Sequence, residues 1–280
     1  MNNILVVNKE TGLTSRDVVN KLCKIFNTKK IGHTGTLDPM AEGVLVCLIG
    51  KYTKLERVFS SEEKEYIATI KLGIKTDTLD ITGNIIDENY AFSLDKNMVN
   101  DVLLSFVGKY IEEVPLYSAI HVNGKRLYEY AREKKDVILP KKTVYIKEME
   151  LLEFNEDSIR FRCLVSKGTY IRSLIRDICE KLHVLGTMSE LIRISQGKFN
   201  INNSYKLKDI ENGDFRFVDL KSSLNIKEIY LNNELNDLYK KVVNGNKIEL
   251  NLDGYVLFKK NRDIALYYFN DNVGRLIILF

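Results

Sequence analysis

With 280 residues, 45% of them hydrophobic, the chain can bury the core of one large domain, or of one domain and a small companion, and its composition excludes a disordered or fibrous protein. Lys+Arg 42 against Asp+Glu 38 gives a net charge of +4, which excludes a histone-like polycation and confines any nucleic-acid surface to a local patch. The four cysteines, Cys23, Cys47, Cys163 and Cys179, form no C-x-x-C pair and have apolar neighbours, so they read as buried free thiols in a reducing compartment.

The first apolar run, Ile4-Leu5-Val6-Val7, reads as a short buried strand and is too short for a secretory signal. No segment reaches membrane-spanning length, so a cytoplasmic protein is expected. Thr14 or Ser15 can cap a helix that carries Val18, Val19, Leu22, Ile25 and Phe26 on one face. Next comes Gly32-His33-Thr34-Gly35-Thr36-Leu37-Asp38-Pro39-Met40-Ala41-Glu42-Gly43. This loop sets one carboxylate before a proline, directly ahead of the buried run Val44-Leu45-Val46-Cys47-Leu48-Ile49. Such a carboxylate can be a nucleophile or an acid/base group, or it can be a solvated Asp-Pro turn.

Tyr66-Ile67-Ala68-Thr69-Ile70-Lys71-Leu72 looks like a strand ending at Gly73, and residues 76–83 are turn-rich. Within them Asp77 and Asp80 lack an EF-hand pattern and read as turn formers, not cation ligands. Met98, Val99, Val102, Leu103 and Phe106 recur at helical spacing, and Gly108 can end that helix. Residues 127–134 look helical and 144–154 extended. Ile159, Phe161, Cys163 and Val165 alternate with polar residues, as in a half-buried strand. It ends at Ser166-Lys167-Gly168-Thr169-Tyr170, and a helix then carries Ile171, Leu174, Ile175, Ile178 and Leu182. Strands and helices mix without βαβ repetition, which predicts an α+β domain on a mainly antiparallel sheet. Composition changes near residue 200, where Asn-rich segments (200–203 and 232–236) bracket weakly patterned sequence. From about Ile226 the chain offers one short helix and three or four short strands. Two domains are therefore expected, 1–225 and a small β-rich 226–280.

The twelve-residue Asp38 loop closely resembles the active-site motif of the TruB-type tRNA pseudouridine synthases. Lys9-Glu10-Thr11-Gly12-Leu13-Thr14-Ser15 resembles the motif ahead of that family's first helix, with Glu10 where the family has proline. Lys64-Glu65-Tyr66 resembles its tyrosine segment, and Leu72-Gly73 through Asp80 to Gly83 matches another. Pro115-Leu116-Tyr117-Ser118-Ala119 and Asn123-Gly124-Lys125-Arg126-Leu127-Tyr128-Glu129-Tyr130-Ala131-Arg132 match a further stretch, with His121 where lysine is usual. Ser166 to Arg172 resembles the segment bearing the aspartate's arginine partner. Leu191-Ile192-Arg193 resembles a Leu-Arg-Arg segment. The resemblance runs from about residue 3 to 200, and the segment after 226 is similar to a shortened PUA-type RNA-binding domain.

The resemblance implies the pseudouridine-synthase fold and isomerisation of uridine 55 in the T loop of tRNA, by base flipping and without a cofactor. Asp38 would be the nucleophile, and Arg172 would hold it ionised and aimed. Tyr66 would stack on the flipped base and is a candidate for the C5 proton step. His33 would enter the tRNA loop, Tyr170 and Leu191 would wall the pocket, and Lys9 and Lys167 would join them in binding substrate. Lys29, Lys30, Lys51, Lys54, Lys167 and Arg176 are candidate phosphate contacts, or else solvated charges. The implied partner is the tRNA T-arm stem-loop, bound by a monomer with no protein partner.

Other chemistries fit less well. There is no dinucleotide or phosphate loop, and His33, His121 and His183 have no metal spacing, so neither metal nor cofactor is expected. A non-catalytic tRNA-binding or folding protein on the same fold is the main alternative; intact Asp38, Tyr66 and Arg172 argue against it. A nucleoside hydrolase would want a second carboxylate or a metal.

Overall fold

The structure, a computed structural model, describes residues 1–232 and 237–280. β1 (Asn3–Lys9) leads into α1 (Ser15–Ile25), β2 (Ile31–His33) and β3 (Glu42–Ile49). The short α2 (Glu56–Ser60) precedes β4 (Lys64–Leu72), and a hairpin of β5 (Ile74–Thr76) and β6 (Ile85–Glu88) follows. Then come α3 (Lys96–Leu104), β7 (Gly108–Glu113), the two-residue β8 (His121–Val122) and β9 (Lys125–Arg126), and α4 (Leu127–Glu133). β10 (Lys141–Asn155), β11 (Ser158–Val165), α5 (Ile171–Leu182), β12 (Gly186–Gln196) and β13 (Phe199–Asn200) complete the larger sheet. α6 (Leu207–Glu211) and α7 (Leu220–Ser223) lead to β14 (Ile226–Tyr230), α8 (Asp237–Val243), β15 (Ile248–Glu249), β16 (Gly254–Lys259), β17 (Asp263–Asn270) and β18 (Val273–Leu279).

The large sheet runs β1-β3-β12-β4-β11-β10-β7, with β2 on β3 and β13 on β12. Every pairing in it is antiparallel except β12 on β3, as the irregular strand–helix order predicts. The strand patterns follow from which faces are covered. β4 and β11 alternate because one face meets the core and the other meets water. The apolar runs 4–7 in β1 and 44–49 in β3 are unbroken because both of their faces are buried. Leu5, Val7, Leu45 and Cys47 enter the core under α1, α3 and α5. Ile4, Val6, Val44, Val46 and Leu48 face Leu55, Phe59 and, from the second sheet, Leu257, Leu266 and Ile278. That second sheet runs β14-β16-β17-β18-β15.

α1 starts where the capping residues place it. Thr14 Oγ1 accepts from the Asp17 amide at 3.0 Å, and Asp17 accepts in return from the Thr14 amide at 2.9 Å. Cys47, Cys163 and Cys179 are buried free thiols, while Cys23 is half-buried. Among the described residues no helix is long and apolar enough to cross a membrane.

Two expectations need correction, and one strand was not foreseen. Gly108 does not end α3: that helix closes at Leu104 through Ser105, and Gly108, at φ +111°, instead opens β7. Among the described residues the C-terminal segment forms five strands, not three or four, because the two-residue β15 and the polar β14 are too weakly patterned to stand out. Central β12 is absent from the sequence reading altogether, since its mixed string GTMSELIRISQ shows neither period cleanly. Of the second Asn-rich stretch, residues 233–236 lie outside the described residues.

Candidate active site

The Asp38 loop is clamped by the Lys9–Ser15 motif. Ser15 Oγ accepts from the Leu37 amide at 2.9 Å and donates to the Leu37 carbonyl at 3.2 Å. The Pro39 carbonyl accepts from the Gly12 amide at 2.9 Å and from Lys9 Nζ at 3.2 Å. Lys9, expected among the substrate-binding groups, is 0% exposed and meets the loop from beneath. Burial pushes its ammonium down to about 8, against the pull of Asp38 and Glu42. The two motifs, distant in sequence, thus hold one carboxylate in place.

Arg172, in the first turn of α5, grips that carboxylate with both arms. Its Nε lies 3.0 Å from Asp38 Oδ2, and its Nη2 donates to Asp38 Oδ1 at 3.2 Å. Backbone carbonyls take two further donors: Tyr117 O from Nη2 at 3.0 Å and Thr78 O from Nη1 at 3.1 Å. The guanidinium is almost fully enclosed, so its direction is fixed. Asp80 stands behind it, 3.8 Å from Nη1. Asp80 is buried and accepts from the Thr82 amide at 3.0 Å and from Thr78 Oγ1 at 3.1 Å. Read from sequence it is a turn former; in the fold it is a second anion on the same arginine. The match of residues 72–83 to the family was the one signal for it.

Burial raises the Asp38 carboxyl above its ordinary value. Arg172 pulls it down and Asp80 pushes it up, and burial is the larger influence. The arginine therefore limits a rise; it does not produce a depressed carboxyl.

Asp38 borders a cavity of about 450 Å³, within the usual range for a ligand pocket. Tyr66 of β4, Leu191 of β12, Tyr170 and Lys167 also line it. The antiparallel register sets Arg193 opposite Tyr66 and Leu191 opposite Ala68. Arg193 is 1% exposed; it donates to the Val44 carbonyl at 2.7 Å and the Gly35 carbonyl at 2.9 Å. Burial raises the Tyr66 phenol, so it is neutral at physiological pH. The Tyr170 amide donates to buried Glu112 at 3.0 Å, and Lys142 Nζ sits 4.1 Å over its ring.

The other expected residues lie elsewhere. His33 is outside the cavity, opposite Cys47 on the β2–β3 ladder. Burial lowers its pKa, and its Nδ1 makes no hydrogen bond among the described residues. Lys29, Lys30, Lys51 and Lys54 are exposed. Arg176 is committed to Glu113 at 3.3 Å and Asp177 at 2.7 Å. Sequence reasoning missed Lys64 and Arg193 as cavity residues, because one precedes a strand tyrosine and the other sits on an unrecognised strand. Among the described residues no cluster of three His, Cys, Asp or Glu side chains could hold a metal.

Residues 23–171 match the model of the TruB family pseudouridylate synthase N-terminal domain. The chain is also 42% identical over 250 residues to tRNA pseudouridine synthase B of Caldicellulosiruptor saccharolyticus, covering 89% of this chain and 84% of that protein. The chain belongs to the TruB family of pseudouridylate synthases. A second TruB relative, tRNA pseudouridine synthase B of Mesoplasma florum, is 38% identical over 96% of this chain and 94% of its own length. The fold matches that in a Cbf5-Nop10-Gar1 complex at TM-score 0.69 and 24% identity, over 95% of this chain and 78% of that one. It also matches an H/ACA RNP bound to a substrate RNA containing 2′-deoxyuridine, at TM-score 0.69 and 20% identity, over 99% and 83%. The TruB-matching span carries Asp38 and Tyr66; Arg172, Leu191 and Arg193 complete the cavity from beyond it.

Proposed function

We propose that this protein isomerises uridine to pseudouridine in tRNA, at position 55 of the T loop, with Asp38 as nucleophile on a flipped-out nucleotide. The observation that carries the reading is the two-armed Arg172–Asp38 contact at the wall of the cavity. The names of relatives at 38–42% identity support tRNA as the substrate.

The reaction breaks the N1–C1′ bond and joins C1′ to C5. The C5 proton leaves, N1 gains one, and no atom is gained or lost overall. It needs a carboxylate aimed at the sugar or the base, and a site that excludes water. Arg172 supplies the aim. Tyr66 stacks on the uracil, and as a neutral phenol it can pass a proton but does not start as a phenolate base. Unstacking the nucleotide costs a few kcal/mol, and the aromatic and apolar walls offset it. Tyr170 and Leu191 belong to those walls, and 226–280 adds RNA-binding surface.

The test is tritium release from C5-labelled uridine in a T-arm stem-loop whose strand stays intact. Wild-type protein should release tritium and form pseudouridine. Asp38→Asn should lose turnover on the order of a thousandfold or more while its RNA affinity stays within a few-fold. Turnover within tenfold of wild type would remove Asp38 from the chemistry. Strand-intact binding without release would leave a tRNA-binding protein.

A further inference from the structure

One wall of the cavity carries more positive charge than the Asp38 chemistry uses. Lys64, Lys167 and Arg193 all line it, and among the described residues none of the three stands in an ion pair. Four cations on the cavity, with Arg172, face only two carboxylates, Asp38 and Glu56. Asp38 is already taken by Arg172.

The three groups are close together. A Cβ placed on Gly35 would sit 3.4 Å from Arg193 Nη1 and 3.5 Å from Lys64 Cε, so both flank the same point of the Asp38 loop. Lys64 Nζ donates to the Ser60 carbonyl at 3.1 Å, and Lys167 Nζ lies 3.4 Å from Ser60 Oγ. Lys64 is 7% exposed and Arg193 1%, whereas Lys167 is exposed. The charges therefore run from depth to rim.

Each group has donors to spare. An ammonium has three, and Lys64 gives one each to the Ser60 and Glu62 carbonyls. Arg193 has five, and two of its groups donate, to the Val44 and Gly35 carbonyls. Lys64 is pushed down to about 8 by burial, with Arg193 and Lys167 adding to the fall. Burying like charges together without an anion is unfavourable for the free protein. A ligand with a fixed negative charge relieves it. Uracil is neutral and needs no such cluster. Within an RNA strand the fixed negative charges are the phosphodiesters.

We propose that Lys64, Lys167 and Arg193 form a seat for a phosphodiester that directly flanks the target nucleotide. It anchors the flipped nucleotide by its backbone while Asp38 and Tyr66 work on the base and sugar. The inference rests on the RNA reading given above and adds a subsite to it.

The test neutralises the phosphate and the protein in turn. Three T-arm stem-loops are compared: the native one, and two with a single uncharged methylphosphonate linkage immediately 5′ or 3′ of the target uridine. Equilibrium binding and single-turnover kcat/KM are read for wild type, Lys64→Met and Lys167→Ala. One of the two neutral linkages should weaken wild-type binding by about 10- to 100-fold, the loss of a hydrogen-bonded charge pair. Lys64→Met should cost as much on native RNA, and its further loss on that neutral RNA should stay under about threefold. Should Lys64→Met fail to fold by thermal melt, the exposed Lys167→Ala runs the same cycle. Wild type indifferent to both neutral linkages, or losses that multiply in full, would overturn the seat. Linkage-sensitive binding without product on native RNA would strike the isomerase reading and leave the seat standing.

Discussion

Asp38 and Arg172 set opposite terms in one titration. Burial raises the carboxyl and Arg172 holds the rise in check, while Asp80 adds to it from behind the guanidinium. A nucleophilic carboxylate must be ionised, so activity should fall as pH drops through its pKa. The acidic limb of kcat/KM reports that value in the free enzyme and should lie above the ordinary carboxylate range. Arg172→Met removes the downward pull, so its limb should move about 1–3 pH units higher, with a lower plateau. Asp80→Asn removes an upward push and should move the limb lower. Profiles in which neither substitution shifts the limb would separate Asp38 from both neighbours. Little of this balance is legible in the sequence. Asp38 stands out through its loop, and Arg172 through the resemblance of residues 166–172 to the family's arginine segment. Asp80 looks like any turn aspartate, because only the fold turns residues 76–83 towards α5.

At the level of elements, the site depends on one crossing. β12 is the parallel neighbour of β3, and Arg193 pairs with Gly43 at that point. Gly43 has φ +101°, and a Cβ there would lie 2.3 Å from the Arg193 carbonyl oxygen. No flexible side chain can yield, because the obstacle is backbone. Gly43→Ala should therefore force β12 away from the Asp38 loop and displace Leu191 and Arg193 together. We expect a loss of at least about 2 kcal/mol in urea unfolding, and lower kcat. Gly213 is the control, with φ +83° and nothing within 4 Å of an added Cβ. Gly213→Ala should show only the backbone cost, about 1 kcal/mol, and unchanged activity. Equal stability losses in the two variants would mean that the close approach carries no weight. The crossing also explains why β12 escaped the sequence reading. β4 and β11 stand out as apolar, β-branched and aromatic runs, and each buries one face. β12 carries Glu190, Arg193 and Gln196 among apolar residues, since its centre serves the cavity and its pairings are long-range. Function has overwritten its period.

For the whole molecule, the question is what the second sheet contributes. The compositional break near residue 200 and the short strands after 226 suggest an appendage that could be cut away. The packing argues otherwise. Leu257, Leu266 and Ile278 share one core with Val44, Val46 and Leu48, on the face of β3 opposite α1, α3 and α5. A chain ending at residue 225 would expose that face, and each large side chain left uncovered forfeits about 1.5–3 kcal/mol. Truncation would thus report on folding before it reported on RNA. A milder cut isolates the effect. Leu266→Ala should cost about 2–5 kcal/mol and lower Tm. Its route to the site is short and one-sided. Phe59 belongs to the shared core and packs edge-on against Phe199 with ring centres 5.2 Å apart. The next residue, Ser60, holds Lys64 through its carbonyl and meets Lys167 through its hydroxyl. Asp38 and Arg172 are held separately, by β1, α1 and α5. Loosening the shared core should therefore disturb the cationic wall more than the Asp38–Arg172 pair. Below its melting transition, Leu266→Ala should bind a T-arm stem-loop several-fold more weakly and show a shallower loss with salt, because fewer phosphates are neutralised. Its single-turnover rate at saturating RNA should stay within about twofold of wild type. A folded Leu266→Ala with intact affinity and a collapsed saturated rate would show that the second sheet shapes the catalytic wall, not the RNA-binding one.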